Sequence, residues 1–192
     1  MLEEEYEPKR TLPPHLRKPV PPPPAFEFSI RDATPRDLPD VREIYNYYVT
    51  NSTVTFDEHQ MSLREWRNKF AIGAKQRMPF LVAVSPSGNV LGYALVTPWK
   101  TKAAYRYTVE NSIYLGPAST GKGLGRGLLT ELISQSKAAG LKEMLAIIAD
   151  QNADASIHLH EKLGFKEIGR MGRVGFKFDR WLGTVMLQKS LK

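Results

Sequence analysis

The residues with the clearest capacity for chemistry form a glycine-rich turn at positions 121–127, Gly-Lys-Gly-Leu-Gly-Arg-Gly. A strand-like stretch precedes the turn, and a stretch with helical spacing of leucines follows it. Glycines at such a junction let the backbone turn tightly and direct consecutive N–H groups outward, where the helix dipole reinforces them. Lys122 and Arg126 add two cations. The pattern predicts an anion-binding site, although a glycine-rich connection without a ligand has the same composition.

The same turn shares features with two nucleotide-binding motifs. Gly116, Gly121 and Lys122 have the spacing of a P-loop, and Asp150 follows an apolar stretch as a Walker B aspartate does. However, the position of the magnesium-binding Ser or Thr is occupied by Gly123. A dinucleotide-binding turn is also disfavoured, because its third glycine and its usual place in the first βαβ unit are both missing.

Composition limits the class of protein. A chain of 192 residues with 42% hydrophobic content is the size of one globular domain. It contains no cysteine, so disulfides and thiolate metal sites are excluded. The net charge of +7 comes from scattered Lys and Arg without a basic block, and no apolar run reaches membrane-spanning length. We expect a cytoplasmic protein without a nucleic-acid or membrane partner.

The N-terminal residues 1–27 are rich in proline, including the run 21–24. This composition favours extended polyproline II conformation and lacks the apolar content to fold alone. The segment is interpreted as a disordered or surface-laid extension. It could be a ligand for a proline-recognising partner or a dispensable tail. The folded domain is predicted to span residues 28–192.

The order of elements predicted for that domain is βααβββαβαββ, a mixed α/β sheet flanked by helices. Thr34, Pro35 and Asp37 have the pattern of an N-cap, a first-turn proline and a capping-box partner, and Ser62 with Glu65 repeats the capping-box spacing. After the turn, helical spacing continues to Gly140. Strands are predicted around residues 28–30 and at 79–84, 90–96, 107–115, 144–149, 165–174 and 181–191, with a short helix at 152–163.

The turn and its surroundings resemble the GCN5-related N-acetyltransferase (GNAT) superfamily. That family's signature is Gln or Arg, two residues, Gly, any residue, then Gly or Ala, and residues 120–125 here are Thr-Gly-Lys-Gly-Leu-Gly. Thr120 departs from the usual Gln or Arg, which affects one side-chain contact but not the backbone amides. The segments 52–56, 99–105 and 108–110 look like phosphinothricin acetyltransferase and its relatives that act on amino-acid analogues. The resemblance covers roughly residues 28–192.

The resemblance implies roles for two titratable residues. Acetyl transfer needs a neutral amine, so a base must remove a proton from the ammonium. Glu110 matches the carboxylate to which the family assigns this role, although it could instead pair with a nearby cation. His160 has a reference pKa of about 6.5 and matches a histidine of the phosphinothricin-type enzymes. It would act as second base or as acid for the thiolate, or it could be structural, whereas His158 would take neither catalytic role.

The resemblance also implies where acetyl-CoA and the acceptor bind, with direct transfer in a ternary complex and no metal. The strand backbone at Ile113, Tyr114 and Leu115 would bind the thioester and pantetheine, and Asn152 at the end of the next strand would make a further contact with the coenzyme. The turn would bind the pyrophosphate through Gly121, Lys122, Gly123, Leu124, Gly125 and Arg126. An acidic acceptor would meet Phe56, Lys100, Lys102 and Tyr105, although the two lysines could instead be solvated residues of a surface loop.

The family commonly has arginine at Lys102, so the acceptor here could differ from phosphinothricin. The implied function is N-acetylation of a small amino acid or analogue by a homodimer. Acetylation of a protein or peptide, and coenzyme binding without catalysis, are the alternatives.

Overall fold

The computed structural model describes residues 26–192. Most of the proline-rich extension, with its predicted conformation and partner, lies outside the described residues. The proposed domain boundary at residue 28 stays a prediction. Within the described chain, no helix combines the length and the apolar character needed to cross a bilayer.

The predicted order of elements and the mixed α/β class are confirmed. Two short 3₁₀ turns, Ala103–Tyr105 and Pro117–Ser119, accompany the regular elements. The strands and helices are β1 Ser29–Asp32, α1 Leu38–Asn51, α2 Leu63–Lys75, β2 Phe80–Val84, β3 Val90–Pro98, β4 Thr108–Leu115, α3 Leu124–Ala138, β5 Glu143–Ala149, α4 Asp154–Lys162, β6 Lys166–Lys177 and β7 Arg180–Ser190.

Both predicted helix-start signals are visible as hydrogen bonds. At α2, the backbone N–H of Ser62 donates to Glu65 Oε2 at 2.7 Å, and the backbone N–H of Glu65 donates to Ser62 Oγ at 3.3 Å. Asp37 Oδ2 accepts from the backbone N–H of Thr34 at 2.7 Å. The regular helix α1 nevertheless begins only at Leu38, because residues 35–37 form a turn and not the first helical turn.

Two further predicted boundaries are wrong. The final hairpin is longer than predicted, because β6 and β7 pair as far as Lys177 with Arg180. Phe178 and Asp179 close it with φ values of 50° and 55°, the left-handed conformation of a two-residue hairpin turn. The helix predicted from Asn152 begins at Asp154, since Asn152 itself has a φ of 58°.

The seven strands form one sheet in the order β1-β2-β3-β4-β5-β7-β6. All neighbouring pairs are antiparallel except β4 with β5. This parallel pair is short, running from Thr108 with Glu143 to Glu110 with Leu145. Beyond it β4 continues to Leu115 and β5 to Ala149, with no further pairing between them in the described sheet. The sheet therefore divides at its centre.

Helices cover the two faces of the sheet and create two core clusters. On one face, Trp66 of α2 and Val41 of α1 pack against Tyr93 of β3. On the other face, the leucines of α3 pack against Val109 of β4 and Met144 of β5. Because side chains alternate along a strand, neighbouring residues of β4 face different helix layers.

Candidate active site

The opening between β4 and β5 leaves one side of β4 without a strand partner at 111–115. The other side of this segment stays paired with β3 as far as Leu115 with Gly92. Backbone N–H and C=O groups on the open side are therefore available to an extended ligand, which would add to the sheet as a strand does. Of the predicted donor-binding residues, Ile113, Tyr114 and Leu115 lie on this open segment.

Asn111 holds the two strands together at the point where they separate. Its side-chain Nδ2 donates to the Leu145 carbonyl oxygen at 2.9 Å. Its Oδ1 lies 3.0 Å from His160 Nε2 on α4, and His160 Nδ1 lies 2.8 Å from the Ser156 carbonyl oxygen. His160 is buried, with 3% exposure, and packs edge-on against Phe165.

Both ring nitrogens of His160 thus face oxygen acceptors. A neutral imidazole has one N–H, so only the protonated ring can donate to both. Burial acts in the opposite direction and lowers the pKa of His160, with the hydrogen bond to Ser156 opposing that shift. His158 is exposed to solvent.

Glu110 is half-buried and lies on the face of β4 that is covered by α1 and α2. Burial raises the pKa of its carboxyl, and the charges of Lys69 and Lys100 oppose this shift. Glu110 and Asn111 are adjacent in β4 and point to opposite faces. The structure consequently separates Glu110 from His160, since His160 reaches β4 through Asn111.

The glycine-rich turn has the geometry of an anion site. Gly121 and Gly123 have φ values of 73° and 84°, and a side-chain carbon at either position would meet open space. The first intrahelical bond of α3 runs from the Gly127 N–H to the Gly123 oxygen at 3.1 Å. The preceding N–H groups, at 124–126, have no intrahelical acceptor and point out of the helix start.

The two cations of the turn are arranged differently. Lys122 Nζ donates to the Ala118 carbonyl at 2.9 Å and lies 4.1 Å from the ring centroid of Phe26. Arg126 is exposed on the first turn of α3. Gly125 permits close packing, because a side-chain carbon there would lie 3.2 Å from Leu159 of α4. The predicted phosphate-binding turn thus packs against α4.

Asp150, which follows β5, accepts a backbone hydrogen bond. Its Oδ1 accepts from the Gly183 backbone N–H at 2.9 Å, which joins the end of β5 to β7. Asn152 follows two residues later and is exposed. Among residues 26–192 there is no group of three or more His, Asp and Glu arranged to hold a metal ion.

The predicted acceptor residues come from two segments. Phe56 lies half-buried in the loop between α1 and α2, with its ring against Gly175 of β6. Lys100 and Tyr105 are exposed in the segment between β3 and β4, together with Lys102. The charge of Lys100 acts on Glu110 and opposes the rise of its pKa.

Sequence reasoning missed two residues of this region. Asn111 is an ordinary strand residue in the sequence, and no local pattern indicates that it bridges two strands. Lys69 belongs to the predicted second helix. Burial lowers its pKa, the charges of Asp57 and Glu110 oppose that shift, and Lys69 lines a cavity of about 710 Å³ together with Thr97. Thr97 is the cross-strand neighbour of Glu110. No local pattern distinguishes Lys69 from the other cations of this helix.

A sequence model described as the acetyltransferase (GNAT) family matches residues 41–165. The chain belongs to the GNAT acetyltransferase family. It is an acetyl-CoA-dependent acyltransferase, and the resemblance found in its sequence is confirmed. The opening in the sheet and the α3 turn of this GNAT protein fit an extended, phosphate-bearing donor such as acetyl-CoA.

Individual relatives agree with this assignment. The L-methionine sulfoximine/L-methionine sulfone acetyltransferase of Pseudomonas paraeruginosa is 44% identical over 163 residues, covering 85% of this chain and 94% of that protein. The phosphinothricin N-acetyltransferase of Alcaligenes faecalis is 36% identical, covering 85% and 82%. A phosphinothricin acetyltransferase from Sinorhizobium meliloti, solved in complex with acetyl-CoA, superposes with a TM-score of 0.82 at 39% identity and covers 85% of this chain and 88% of its own.

Proposed function

We propose that this GNAT protein transfers the acetyl group of acetyl-CoA to the amino group of a small amino acid or analogue, of the methionine sulfoximine and phosphinothricin type. The observation that carries the proposal is the half-buried Glu110, which borders the β4–β5 opening on the face of α1 and α2. The substrates of the relatives, up to 44% identical over most of the chain, support the acceptor class.

In the proposed reaction, Glu110 removes a proton from the acceptor ammonium, directly or through one water. The neutral amine attacks the carbonyl carbon of the thioester and a C–N bond forms; the C–S bond then breaks and the nitrogen loses its second proton. The thiolate of coenzyme A then takes up a proton. Burial supports the basic role of Glu110, because a carboxylate with a raised pKa is a stronger base than one in water.

Backbone groups of β4 are proposed to bind the donor. The thioester oxygen gains negative charge during attack, and N–H groups on the open side of 113–115 can stabilise it. The N–H groups at the start of α3, with Lys122 and Arg126, would bind the pyrophosphate, and Asn152 would contact the coenzyme from the end of β5. This arrangement holds donor and acceptor together, which supports direct transfer without an acyl-enzyme.

The acceptor's acidic group is proposed to meet the cations Lys100 and Lys102, beside Tyr105, while Phe56 forms an apolar wall. The presence of Lys69 near Glu110 adds a third cation on this side of the sheet. Several cations suit an acceptor with one or more anionic groups besides its amine.

For His160 we propose a positioning role. Its ring is buried and its two nitrogens are occupied, so it would act on the reaction through Asn111 and the separation of β4 from β5. Proton transfer by His160, as base or as thiolate acid, is the competing hypothesis. The two hypotheses differ in their pH dependence.

A thiol-release assay with acetyl-CoA tests the function. The acceptor panel contains methionine sulfoximine, methionine sulfone, phosphinothricin, ordinary amino acids and a short peptide. We expect turnover with at least one of the amino-acid analogues. Turnover confined to the peptide would show a protein or peptide acetyltransferase, and acetyl-CoA binding without turnover of any amine would show a coenzyme-binding regulator.

A homodimer is also proposed. The β6–β7 hairpin ends the sheet and carries six large apolar side chains that are 40% to 53% exposed. Covering such a surface with a second copy would remove it from water. Sedimentation velocity of wild type and of Phe176→Lys tests this proposal, because a charged side chain within the apolar face should prevent association and give monomers. The six apolar side chains of the hairpin are Ile168, Met171, Val174, Phe176, Phe178 and Trp181.

The cytoplasmic location stays a prediction from the sequence.

A further inference from the structure

A buried lysine ends strand β6. Lys177 is only 2% exposed, and its Nζ donates to the Ser52 carbonyl oxygen at 2.8 Å and to the Thr55 carbonyl oxygen at 2.9 Å. Both acceptors belong to the loop between α1 and α2, more than 120 residues away in sequence. Burying an ammonium group costs free energy unless its N–H groups donate hydrogen bonds. Here they fasten the backbone of one loop to the final hairpin.

The same strand also contacts the loop through Gly175. A side-chain carbon at Gly175 would lie 2.5 Å from two ring carbons of Phe56, so the ring rests directly on the glycine. From the opposite side, the hydroxyl of Tyr45 lies 3.2 Å from Thr55 Oγ1 and also donates to Asp57. The loop is therefore held between helix α1 and the end of β6.

The held loop lies on the Glu110 side of the sheet. Tyr114, four residues after Glu110 in β4, points to the same face. Burial chiefly raises the pKa of Tyr114 to about 12, with a hydrogen bond from Thr55 opposing and the charges of Asp57 and Glu110 adding to the shift. The Tyr45 ring, whose hydroxyl contacts Thr55 and Asp57, lies 5.2 Å from the Tyr114 ring between centroids. Both loop residues are therefore close to the open segment of β4, where the proposed amine acceptor would bind.

We infer that Lys177 is a positioning residue for the acceptor: it sets the place of Phe56 by binding the carbonyls of the 52–55 loop backbone. This inference rests on the proposed function for the identity of the acceptor. Lys177 contacts neither the α3 turn nor the open edge of β4 through these bonds. Its loss should consequently affect acceptor binding and leave donor binding unchanged.

Steady-state kinetics of Lys177→Met tests the inference, because methionine keeps an apolar stem and removes all donors. With methionine sulfoximine, or whichever amine of the panel is turned over, we expect the acceptor KM to rise about tenfold or more, since small displacements of positioning groups have large effects. The KM for acetyl-CoA should stay within about twofold, as expected for a site distant from the change. Lys177→Arg, which keeps donors, should recover part of the loss.

A glycine pair provides a second test that does not alter the lysine. Gly175→Ala should displace the Phe56 ring and raise the acceptor KM selectively. Gly172→Ala is the matched control on the same strand, because a side-chain carbon there meets nothing within 4 Å. We expect wild-type kinetics for the control. Equal effects of the two alanines would overturn the inference.

Amide hydrogen exchange of residues 52–57 measures how firmly the loop backbone is held, and it requires no substrate. We expect faster exchange in Lys177→Met than in wild type, with the α3 turn unaffected. Unchanged exchange, or equal rises in both KM values, would show that Lys177 only stabilises the fold. If wild type turns over no amine, the proposed function fails, while the exchange experiment still decides the role of Lys177.

Discussion

The Nε2 atom of His160 lies 3.0 Å from the Oδ1 atom of Asn111, and the amide of Asn111 bonds across to the Leu145 carbonyl of β5. One hydrogen-bond chain therefore joins α4, β4 and β5 at the residue where the central strands part. Glu110, the preceding residue of β4, faces the opposite helix layer. The proposed base and the buried histidine therefore lie on opposite faces of β4, and His160 contacts the strand through Asn111.

Replacing His160 distinguishes positioning from proton transfer. His160→Gln can retain a hydrogen bond to Asn111, whereas His160→Phe cannot. If His160 positions Asn111, the glutamine variant should recover most of the activity that the phenylalanine variant loses, and its pH profile should match wild type. The measurement is kcat/KM across pH 5 to 9, a range of about four units around the ordinary histidine pKa. A titrating limb that disappears in both variants would show that His160 transfers the proton.

His160 also makes a prediction about stability. Its pKa is lowered in the folded state, so the unfolded chain binds the proton more readily. The contribution of the neutral ring is present above the unfolded pKa of about 6.5 and is lost as pH falls below it. As pH falls from neutral to mildly acidic, the melting temperature of wild type should therefore decrease more than that of His160→Gln. Parallel curves would contradict this.

Glu110→Gln should separate chemistry from binding. Without the base, turnover should fall by about 100-fold or more, while calorimetric titration should still detect acetyl-CoA. In wild type, the acidic limb of kcat/KM should lie above the ordinary value of 4.5, because burial raises the pKa of Glu110. Unchanged turnover in the variant would remove Glu110 from the mechanism.

The same variant should not be less stable. A carboxyl whose pKa is higher in the folded than in the unfolded state stabilises the protein when it is protonated and destabilises it when it is ionised. The cost of burying the ionised carboxylate is therefore present at neutral pH. Glutamine removes the buried charge, and the melting temperature of Glu110→Gln should equal or exceed that of wild type. A clear decrease at pH 7 would mean that the attraction of Lys69 and Lys100 exceeds the cost of burial.

Gly123→Ala tests the turn at the start of α3. Alanine at a φ of 84° is strained, although its side chain would have space. We expect a stability loss of about 1 kcal/mol and a raised KM for acetyl-CoA. Gly88→Ala, in the β2–β3 turn at a φ of 87° and equally unobstructed, is the matched control. It should lose similar stability with unchanged KM; a KM change in both variants would refute a role for the turn in donor binding.

Asp37 provides a stability prediction outside the site. Two hydrogen bonds from Arg31 at 2.7 and 2.8 Å, with burial opposing, lower the pKa of Asp37 from 3.8 to about 2. This contribution is present above the unfolded pKa and is lost as pH falls towards 2. Asp37→Asn should cost about 2 kcal/mol at pH 7, measured by urea unfolding, and the difference should shrink as pH falls to about 2.

The control for Asp37 is the exposed ion pair of Glu167 with Arg170, which is also bidentate at 2.8 Å. Glu167→Gln should leave the unfolding midpoint unchanged, because water screens exposed pairs. Equal losses in both variants would mean that burial adds nothing to the Arg31 pair.

The sequence by itself determined the order of the elements, the family and the α3 turn. These depend on local patterns: the spacing of apolar residues along a helix, capping pairs such as Ser62 with Glu65, and glycines next to one another in the chain. It also indicated Glu110, though only through the resemblance of its neighbours to a known family. The start of α4 was missed because the conformation of Asn152 has no local signal.

Only the tertiary structure decided which of these residues meet. The pairing of β4 with β5 ends at Glu110, and that point depends on two strands separated by a whole helix. The burial of His160 depends on how α4 packs, and the two bonds of Lys177 join segments from opposite ends of the domain. Contacts of this range are set by packing and long-range pairing, and the neighbouring residues of the chain do not encode them.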